Sequence, residues 1–209
     1  MRNFLRTVTV GACLVTALLA GACAGEDPTR PADSSASGAT RSFSVDEAHL
    51  SFDLPSDWEE FDRDRMQEAL SDSTTMDDLT DRMGMSDEQF QQMLASNVVL
   101  FVTAPHAVAG FLDNVNVVVA DGRLPRLGSF ELQFRHLGAT DIRSAEVSTD
   151  VGDGYSTTYT LALNGIEVHG QAIAFAVEDR VVMITVSSHD AGEADSVADE
   201  IRHSLAPAG

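Results

Sequence analysis

The sequence predicts an α+β fold: an antiparallel β-sheet meander packed by helices, with a short helical insertion near residues 57–95. The first observation behind this prediction is a period of two in the placement of apolar residues on both sides of the insertion, which is typical of half-buried strands. The second is the pair of turn signals Asn164-Gly165 and Glu178-Asp179, which favour hairpins between antiparallel strands. The third is a helical period in residues 127–137 and 192–205, where helices would cover the sheet.

The first predicted element is a strand over residues 43–55, in which Leu50, Phe52 and Leu54 would face the core because they alternate with polar residues. Residues 57–95 then change to helical spacing, and Thr75 and Ser86 are suited to cap helices there. The insertion is expected to hold three helices, at about residues 59–70, 76–83 and 87–95.

The rest of the chain returns to strands, with one helix in the middle and one at the end. We interpret Gly152-Asp153-Gly154 as a hairpin turn, and we expect the helix at 127–137 to bury Leu127, Phe130, Phe134 and Leu137. The predicted strands are residues 98–103, 114–120, 142–151, 155–163, 166–177 and 181–187.

The N-terminus has the pattern of a secretory signal peptide. Two arginines lie in residues 1–6, and residues 7–22 carry no charge and hold an apolar core. This apolar segment is shorter than the roughly 20 residues that span a bilayer. Residues 1–22 are therefore predicted to be a leader, and an uncleaved membrane anchor is the alternative.

The leader ends in Leu19-Ala20-Gly21-Ala22-Cys23, which resembles the lipobox of bacterial lipoproteins. The resemblance implies that Cys23 is lipidated and becomes the first residue after cleavage, which places the protein at the outer face of the cytoplasmic membrane. Two or more acyl chains anchor a protein stably. Residues 23–42 then form the lipidated cysteine and a flexible tether of small and polar residues, and residues 43–206 form a single domain.

Charge and cysteine content exclude several classes of function. The chain has 33 acidic and 13 basic residues and a formal net charge of -20, which disfavours contact with nucleic acid or anionic lipid headgroups. Of its two cysteines, Cys13 would leave with the leader and Cys23 would carry lipid. No thiol would then remain for a disulfide, a metal site or a nucleophile.

The sequence contains no pattern that favours a catalytic or metal-binding site. Glu167 and His169 share one face of a predicted strand, as two metal ligands would, but no third ligand is grouped with them, so exposed strand polarity explains them better. His189-Asp190 suggests an acid–base pair, yet adjacent strand residues face opposite ways, which favours a turn. The sequence has no Gly-x-Ser-x-Gly motif. We expect no cofactor, no metal and no enzymatic activity.

Residues 57–88 hold twelve acidic and only three basic residues. Methionines are also frequent there, and methionine adapts its shape to binding partners. This acidic lobe is a candidate site for a partner with a basic surface. The alternative is a helical insertion whose methionines fill a small core and whose acids are solvated. The predicted partner-binding residues are Glu59, Glu60, Asp62, Met66, Met83 and Met85.

The loop at residues 105–112 is the second candidate surface. It has little charge and carries Phe111 and Leu112 side by side. Packing of these residues onto the sheet edge and exposure as a binding anchor are both compatible with the sequence.

The segment Leu54-Pro55-Ser56-Asp57-Trp58, followed by the mid-chain helix, the long meander and the C-terminal helix, resembles PsbP-like domains, the superfamily that includes the Ran-binding Mog proteins. Actinobacterial lipoproteins of the LpqN type share this plan. The resemblance implies a non-enzymatic module that docks on membrane protein assemblies. We therefore expect a binding or assembly module for envelope proteins, and the alternative is a carrier that encloses a lipid or small molecule in an apolar cavity.

Overall fold

The computed structural model describes residues 39–62, 97–163 and 165–208. Within these residues the chain forms ten strands, two α-helices and a short 3-10 helix. The strands are β1 (Thr40–Val45), β2 (Leu50–Pro55), β3 (Glu59–Asp62), β4 (Val98–Thr103), β5 (Asn114–Asp121), β6 (Thr140–Thr149), β7 (Gly152–Leu163), β8 (Ile166–Val177), β9 (Arg180–Ser188) and β10 (Ala206–Pro207), the helices are α1 (Leu127–His136) and α2 (Ala191–Ser204), and the 3-10 helix is Asp46–Ala48.

Seven strands form one antiparallel sheet in the order β3-β4-β5-β9-β8-β7-β6. The meander through β6, β7, β8 and β9 makes up four of its seven strands, and consecutive strands of the meander pair with each other. The turns after β7 and β8 lie where the sequence predicts them, with Gly165 at φ 84° and Glu178 at φ 55° in the left-handed region. The predicted α+β class is confirmed.

The three strands β1, β2 and β10 form a second, smaller sheet. The prediction of one strand over residues 43–55 is wrong, because the 3-10 helix interrupts it and His49 reverses the chain with φ 50° and ψ 47°. The predicted alternation of β2 is confirmed, since Leu50, Phe52 and Leu54 are buried and the residues between them are partly exposed.

The large sheet separates two hydrophobic cores. Ile173 and Phe175 of β8 pack in the first core with the small sheet and with Ile201 of α2. Ala172 and Ala174, the alternate residues of the same strand, pack in the second core with α1. Because alternate residues of a strand point to opposite faces, the small sheet and α2 cover one face and α1 covers the other.

The predicted helix at 59–70 is wrong at its beginning. Residues 59–62 form β3, and Glu60 pairs with Val102 of β4. Phe61 is buried in the second core, and its side chain reaches that core because the extended backbone of β3 continues the sheet. The remainder of this helix and the two further helices predicted in the insertion lie outside the described residues.

Two smaller predictions also differ from the structure. The segment 152–154 is part of β7 rather than a turn, because the hairpin reverses at Asp150 and Val151 and pairs Thr149 with Gly152. In α1, Phe130 and Phe134 are buried as predicted, but Leu137 is 40% exposed. The helix ends at His136, so the position of Leu137 no longer follows the helical period.

Candidate functional site

Strand β3 carries the three acidic residues that the sequence predicts to bind a partner, Glu59, Glu60 and Asp62. It is an edge strand of the large sheet. Glu59 and Glu60 point to opposite faces because they are neighbours on a strand, so they do not form the single acidic face that a helix would present. The three methionines assigned to the same surface, Met66, Met83 and Met85, lie outside the described residues.

Arg41 of β1 connects the small sheet to this acidic edge. Its Nη1 donates to Oε2 of Glu60 at 3.2 Å, and its Nη2 donates to the carbonyl oxygen of Trp58 at 3.1 Å. The guanidinium carbon also lies 3.9 Å from the centre of the Phe43 ring, in a cation–π contact. Three separate contacts therefore fix Arg41, and Arg41 in turn fixes the position of Glu60.

The loop between β4 and β5 buries one of its two candidate anchors, Phe111, and leaves the other, Leu112, partly exposed. Phe111 is 5% exposed, whereas Val108 is 51% exposed at the tip. Two backbone hydrogen bonds join Val108 and Phe111 across Ala109 and Gly110, both of which have positive φ. A cavity of about 230 Å³ lies between the loop and β3, lined by Phe61, Thr103, Pro105, His106 and Leu112. Packing onto the sheet edge thus describes Phe111 and, in part, Leu112, whereas residues 105–110 are exposed.

A serine, a histidine and an aspartate meet at the ends of β5 and β9. Asp113, just before β5, accepts hydrogen bonds from the Ser188 hydroxyl at 2.9 Å, from the His189 backbone at 3.1 Å and from His189 Nδ1 at 3.2 Å. A nucleophilic serine would instead have to donate to the histidine ring. Ser188 donates to the carboxylate and is 1% exposed, so the cluster ties two chain segments together.

Asp190 has a separate role from His189, as the turn interpretation predicts. Its carboxylate accepts a hydrogen bond from the backbone of Glu193 at 2.9 Å and caps the N-terminus of α2. Burial raises the pKa of the Glu193 carboxyl, the negative charges of Asp113 and Asp190 raise it further, and His189 lowers it.

Glu167 and His169 lie on one face of β8, as predicted, with Oε1 and Nε2 3.4 Å apart. They face a groove of about 340 Å³ between the sheet and α2. Acids and bases are mixed in this groove, which is lined by Asp141, Arg143, Thr158, Thr160 and Asp195 in addition to the pair. In the described part of the chain, no group of three or more His, Cys, Asp or Glu side chains is arranged to hold a metal ion.

A further cavity, of about 410 Å³, lies beside the β6–β7 hairpin, and the sequence reasoning missed it. It is lined by Leu124, Glu146, Val147, Ser148, Asp153, Gly154 and Tyr155. Glu146 and Ser148 alternate in a predicted strand, which indicates that they share one face of it. Their partners across the hairpin depend on the strand register, and the turn wrongly predicted at residues 152–154 gave the wrong register. The carrier hypothesis expects a cavity with apolar walls, and the three cavities described here are all lined in part by polar residues.

Cys23 and the predicted leader lie outside the described residues. Among the residues that are described, no helix is both long and apolar enough to cross a bilayer.

Comparison with known proteins finds similar structures but no sequence relatives. No protein-family model matches the chain, and no curated protein matches it. The solution structure of cyanobacterial PsbP (CyanoP) from Synechocystis sp. PCC 6803 has a TM-score of 0.49 and 13% identity and covers 90% of this chain and 98% of its own. The Ran-binding protein Mog1p of Saccharomyces cerevisiae has a TM-score of 0.49 and 8% identity, covering 82% and 97%.

A crystal structure from Bacteroides thetaiotaomicron VPI-5482 has a TM-score of 0.45 and 11% identity, and the match covers 79% of this chain and 47% of that one. The PsbP and Mog proteins named by the sequence resemblance are thus among the structural matches. At these identities and scores the similarity assigns no role to any residue of this chain.

Proposed function

We propose that this chain is an extracytoplasmic lipoprotein that acts as a non-enzymatic binding or assembly module for envelope proteins. Lipid on Cys23 would hold it at the outer face of the cytoplasmic membrane. The observation that carries the proposal is the position of the acidic strand β3 beside the point where the chain enters the fold.

The contact between Arg41 and Glu60 defines that position. Strand β1 begins at Thr40, so three residues of the predicted tether, 40–42, are already part of the fold. Because Arg41 binds Glu60 of β3, the acidic edge lies at the end of the domain where the tether arrives. A partner that binds this edge would therefore meet the domain on its tethered side.

The predicted tether sets how far the domain can reach. Residues 24–39 would span roughly 50 Å when fully extended and about 20–25 Å on average as a flexible chain. Such a tether keeps the domain close to other proteins of the same membrane and raises its effective concentration toward them. The negative charge of the chain favours a partner with a basic surface over the anionic headgroups nearby.

The hydrogen bonds of Asp113 support a binding role over hydrolysis. Its carboxylate uses both oxygens to hold Ser188 and His189, which joins the end of β9 to the residue before β5. The same three residue types in a hydrolase would leave the serine hydroxyl beside the imidazole and open to substrate.

The acidic edge can be tested by charge reversal in the full-length protein. Cells that express the wild type, Glu59→Arg or Glu200→Arg would be crosslinked, and proteins joined to the chain would be identified by mass spectrometry. Glu200 is an exposed residue of α2, so its reversal controls for the change in net charge. We expect one basic envelope protein to be lost with Glu59→Arg and retained with Glu200→Arg.

Retention of the same crosslinked proteins by both variants would count against the acidic edge. Thermal unfolding of each variant would accompany the experiment, so that a loss of folding is not mistaken for a loss of binding.

A further inference from the structure

We infer that the outer edge of β6 is a docking site for an extended, basic segment of a partner protein, which adds to the large sheet as a further strand. Strand β6 is the last strand of the large sheet and pairs only with β7 among the described residues. In a strand, alternate residues direct their N–H and C=O groups to opposite sides. Half of the backbone groups of β6 are therefore left for a strand that would lie beside it.

This edge is long, regular and accessible. A bulge interrupts the pairing between Thr140 and Arg143, where Asp141 has φ 51°, and the pairing with β7 is continuous from Arg143 to Thr149. Each residue of β6 is exposed or partly exposed. Proteins usually shorten, twist or cover such an edge to prevent uncontrolled pairing. The regular part of β6 is seven residues long, which is enough for a typical strand to pair with it.

The cavity of about 410 Å³ beside β6 would favour particular side chains in the strand that is added to this edge. Glu146 of β6 lies directly opposite Tyr155 of β7, and Ser148 lies opposite Asp153. The Ser148 hydroxyl donates to Asp153 Oδ1 at 2.6 Å, which fixes that carboxylate. The ring of Tyr155 is positioned by Phe130 of α1, with ring centres 6.2 Å apart.

Two carboxylates around an aromatic ring provide what a guanidinium or ammonium group requires, ion pairs and a cation–π contact. Among the described residues, no basic side chain lines this cavity, although Arg123 and Arg126 lie close to Leu124 in sequence. A basic side chain of an added strand, placed on the α1 face of the sheet next to Glu146, would be the complementary group. The overall charge of -20 attracts the same kind of segment.

A second copy of this chain fits the edge less well. In the regular part of β6, residues 143–149, Arg143 lies opposite Thr158 and Glu146 opposite Tyr155, so these two charged residues point to opposite faces of the sheet. In a two-fold pairing of β6 with itself, residues that meet across the strands lie on the same face. Arg143 of one copy therefore could not meet Glu146 of the other, and two chains with the same large negative charge would repel each other.

The inference does not depend on the acidic edge at β3, because β3 and β6 are the two opposite edges of the large sheet. Hydrogen–deuterium exchange of the full-length protein in detergent micelles tests it directly. The probe is a blocked nine-residue peptide of alternating Thr and Val with Arg at its centre. At nine-tenths occupancy we expect the outward amides of residues 143–149 to exchange roughly tenfold more slowly.

Two matched peptides separate strand addition from simple charge attraction. A peptide with the same side chains and alternate N-methylated amides cannot form the backbone ladder, and we expect it to give no protection of β6. A peptide with Glu in place of the central Arg should bind more weakly than the Arg peptide. Equal protection by the N-methylated peptide, or protection confined to other strands, would overturn the inference, as would no binding of the Arg peptide at millimolar concentration.

Variants of the protein provide the second control. Glu146→Arg should weaken binding of the Arg peptide about fivefold or more, since it replaces an attractive charge beside the cavity with a repulsive one. Glu200→Arg changes the net charge equally at a distant exposed position and should have a much smaller effect. An equal effect of the two variants would show that general charge, rather than the β6 cavity, attracts the peptide.

Discussion

The ring of Tyr159 occupies the space that any side chain at Gly170 would need. The two residues lie directly opposite each other in β7 and β8. A Cβ at position 170 would lie 2.2 Å from Cζ of Tyr159 and 2.6 Å from its hydroxyl oxygen. Phe134 of α1 packs against the same tyrosine, with ring centres 4.6 Å apart. Because Gly170 has no side chain, Tyr159 can lie flat on the sheet, where Phe134 of α1 packs against it.

Gly170→Ala is expected to destabilise the fold by about 1–3 kcal/mol, because the ring of Tyr159 is packed on both sides and cannot move without disturbing α1. The measurement is urea unfolding followed by fluorescence. Gly128→Ala is the matched control, because no atom of the described residues lies within 4 Å of a Cβ at Gly128, which is in the first turn of α1. This control should leave stability unchanged or raise it by about 0.5–1 kcal/mol. An equal effect of the two changes would contradict the packing described here.

Tyr159→Phe is expected to preserve the fold and to make it more resistant to alkaline pH. Burial raises the pKa of the Tyr159 hydroxyl, and the nearby Ser187 side chain lowers it by less. In the part of the chain that the structure describes, the hydroxyl has no hydrogen-bond partner of normal geometry. Since the raised pKa belongs to the folded state, stability should be lost as the pH rises past the ordinary value of 10.0.

Urea unfolding of the wild type and Tyr159→Phe at neutral and alkaline pH checks this prediction. The variant should match or exceed the wild type at pH 7 and lose less stability above pH 10, because it has no phenol to ionise. A loss of more than about 1 kcal/mol at pH 7 would show that the hydroxyl makes a stabilising hydrogen bond.

Glu193→Gln is expected to stabilise the protein at neutral pH and to have little effect in acid. The folded-state pKa of Glu193 is raised, so the protonated carboxyl is the form that the fold favours. Stability from this group is present below its ordinary pKa of 4.5 and is lost as the pH rises through the folded-state value. Thermal unfolding from pH 3 to pH 8 would measure the difference. A difference between the two proteins that grows toward acid pH would contradict this assignment.

Asp113→Ala is expected to cost about 2–4 kcal/mol, because it leaves the buried Ser188 hydroxyl and the His189 backbone without their acceptor. Asp195→Ala, at an exposed position of α2, should change stability by less than about 0.5 kcal/mol. Both values come from urea unfolding at neutral pH. A change at Asp113 as small as that at Asp195 would show that the cluster does not join the two segments.

The elements that the sequence predicts well are those whose pattern is local. Strand β2 and helix α2 each bury one face, and a period of two or of 3.6 residues is enough to identify that face. Leu54 and Ile201 are buried as expected. The predicted and observed boundaries of α2 differ by one residue at each end, at Ala191 and Ser204.

The features that the sequence did not reveal depend on contacts between distant residues. Glu59 begins a strand rather than a helix because β4, nearly forty residues later in the chain, offers an edge to pair with. His189 binds Asp113, 76 residues away, instead of its neighbour Asp190. The register of β6 against β7 places Glu146 opposite Tyr155, and a shift of the turn by a few residues hides that relationship.

The proposed function depends most directly on Cys23, which we propose carries lipid and becomes the first residue of a protein held at the membrane. Growth of expressing cells with labelled palmitate, followed by mass spectrometry of the purified product, measures it. We expect label in the wild type, none in Cys23→Ser, and an N-terminus at acylated Cys23. An unlabelled wild-type product that still begins at Met1 would contradict the claim.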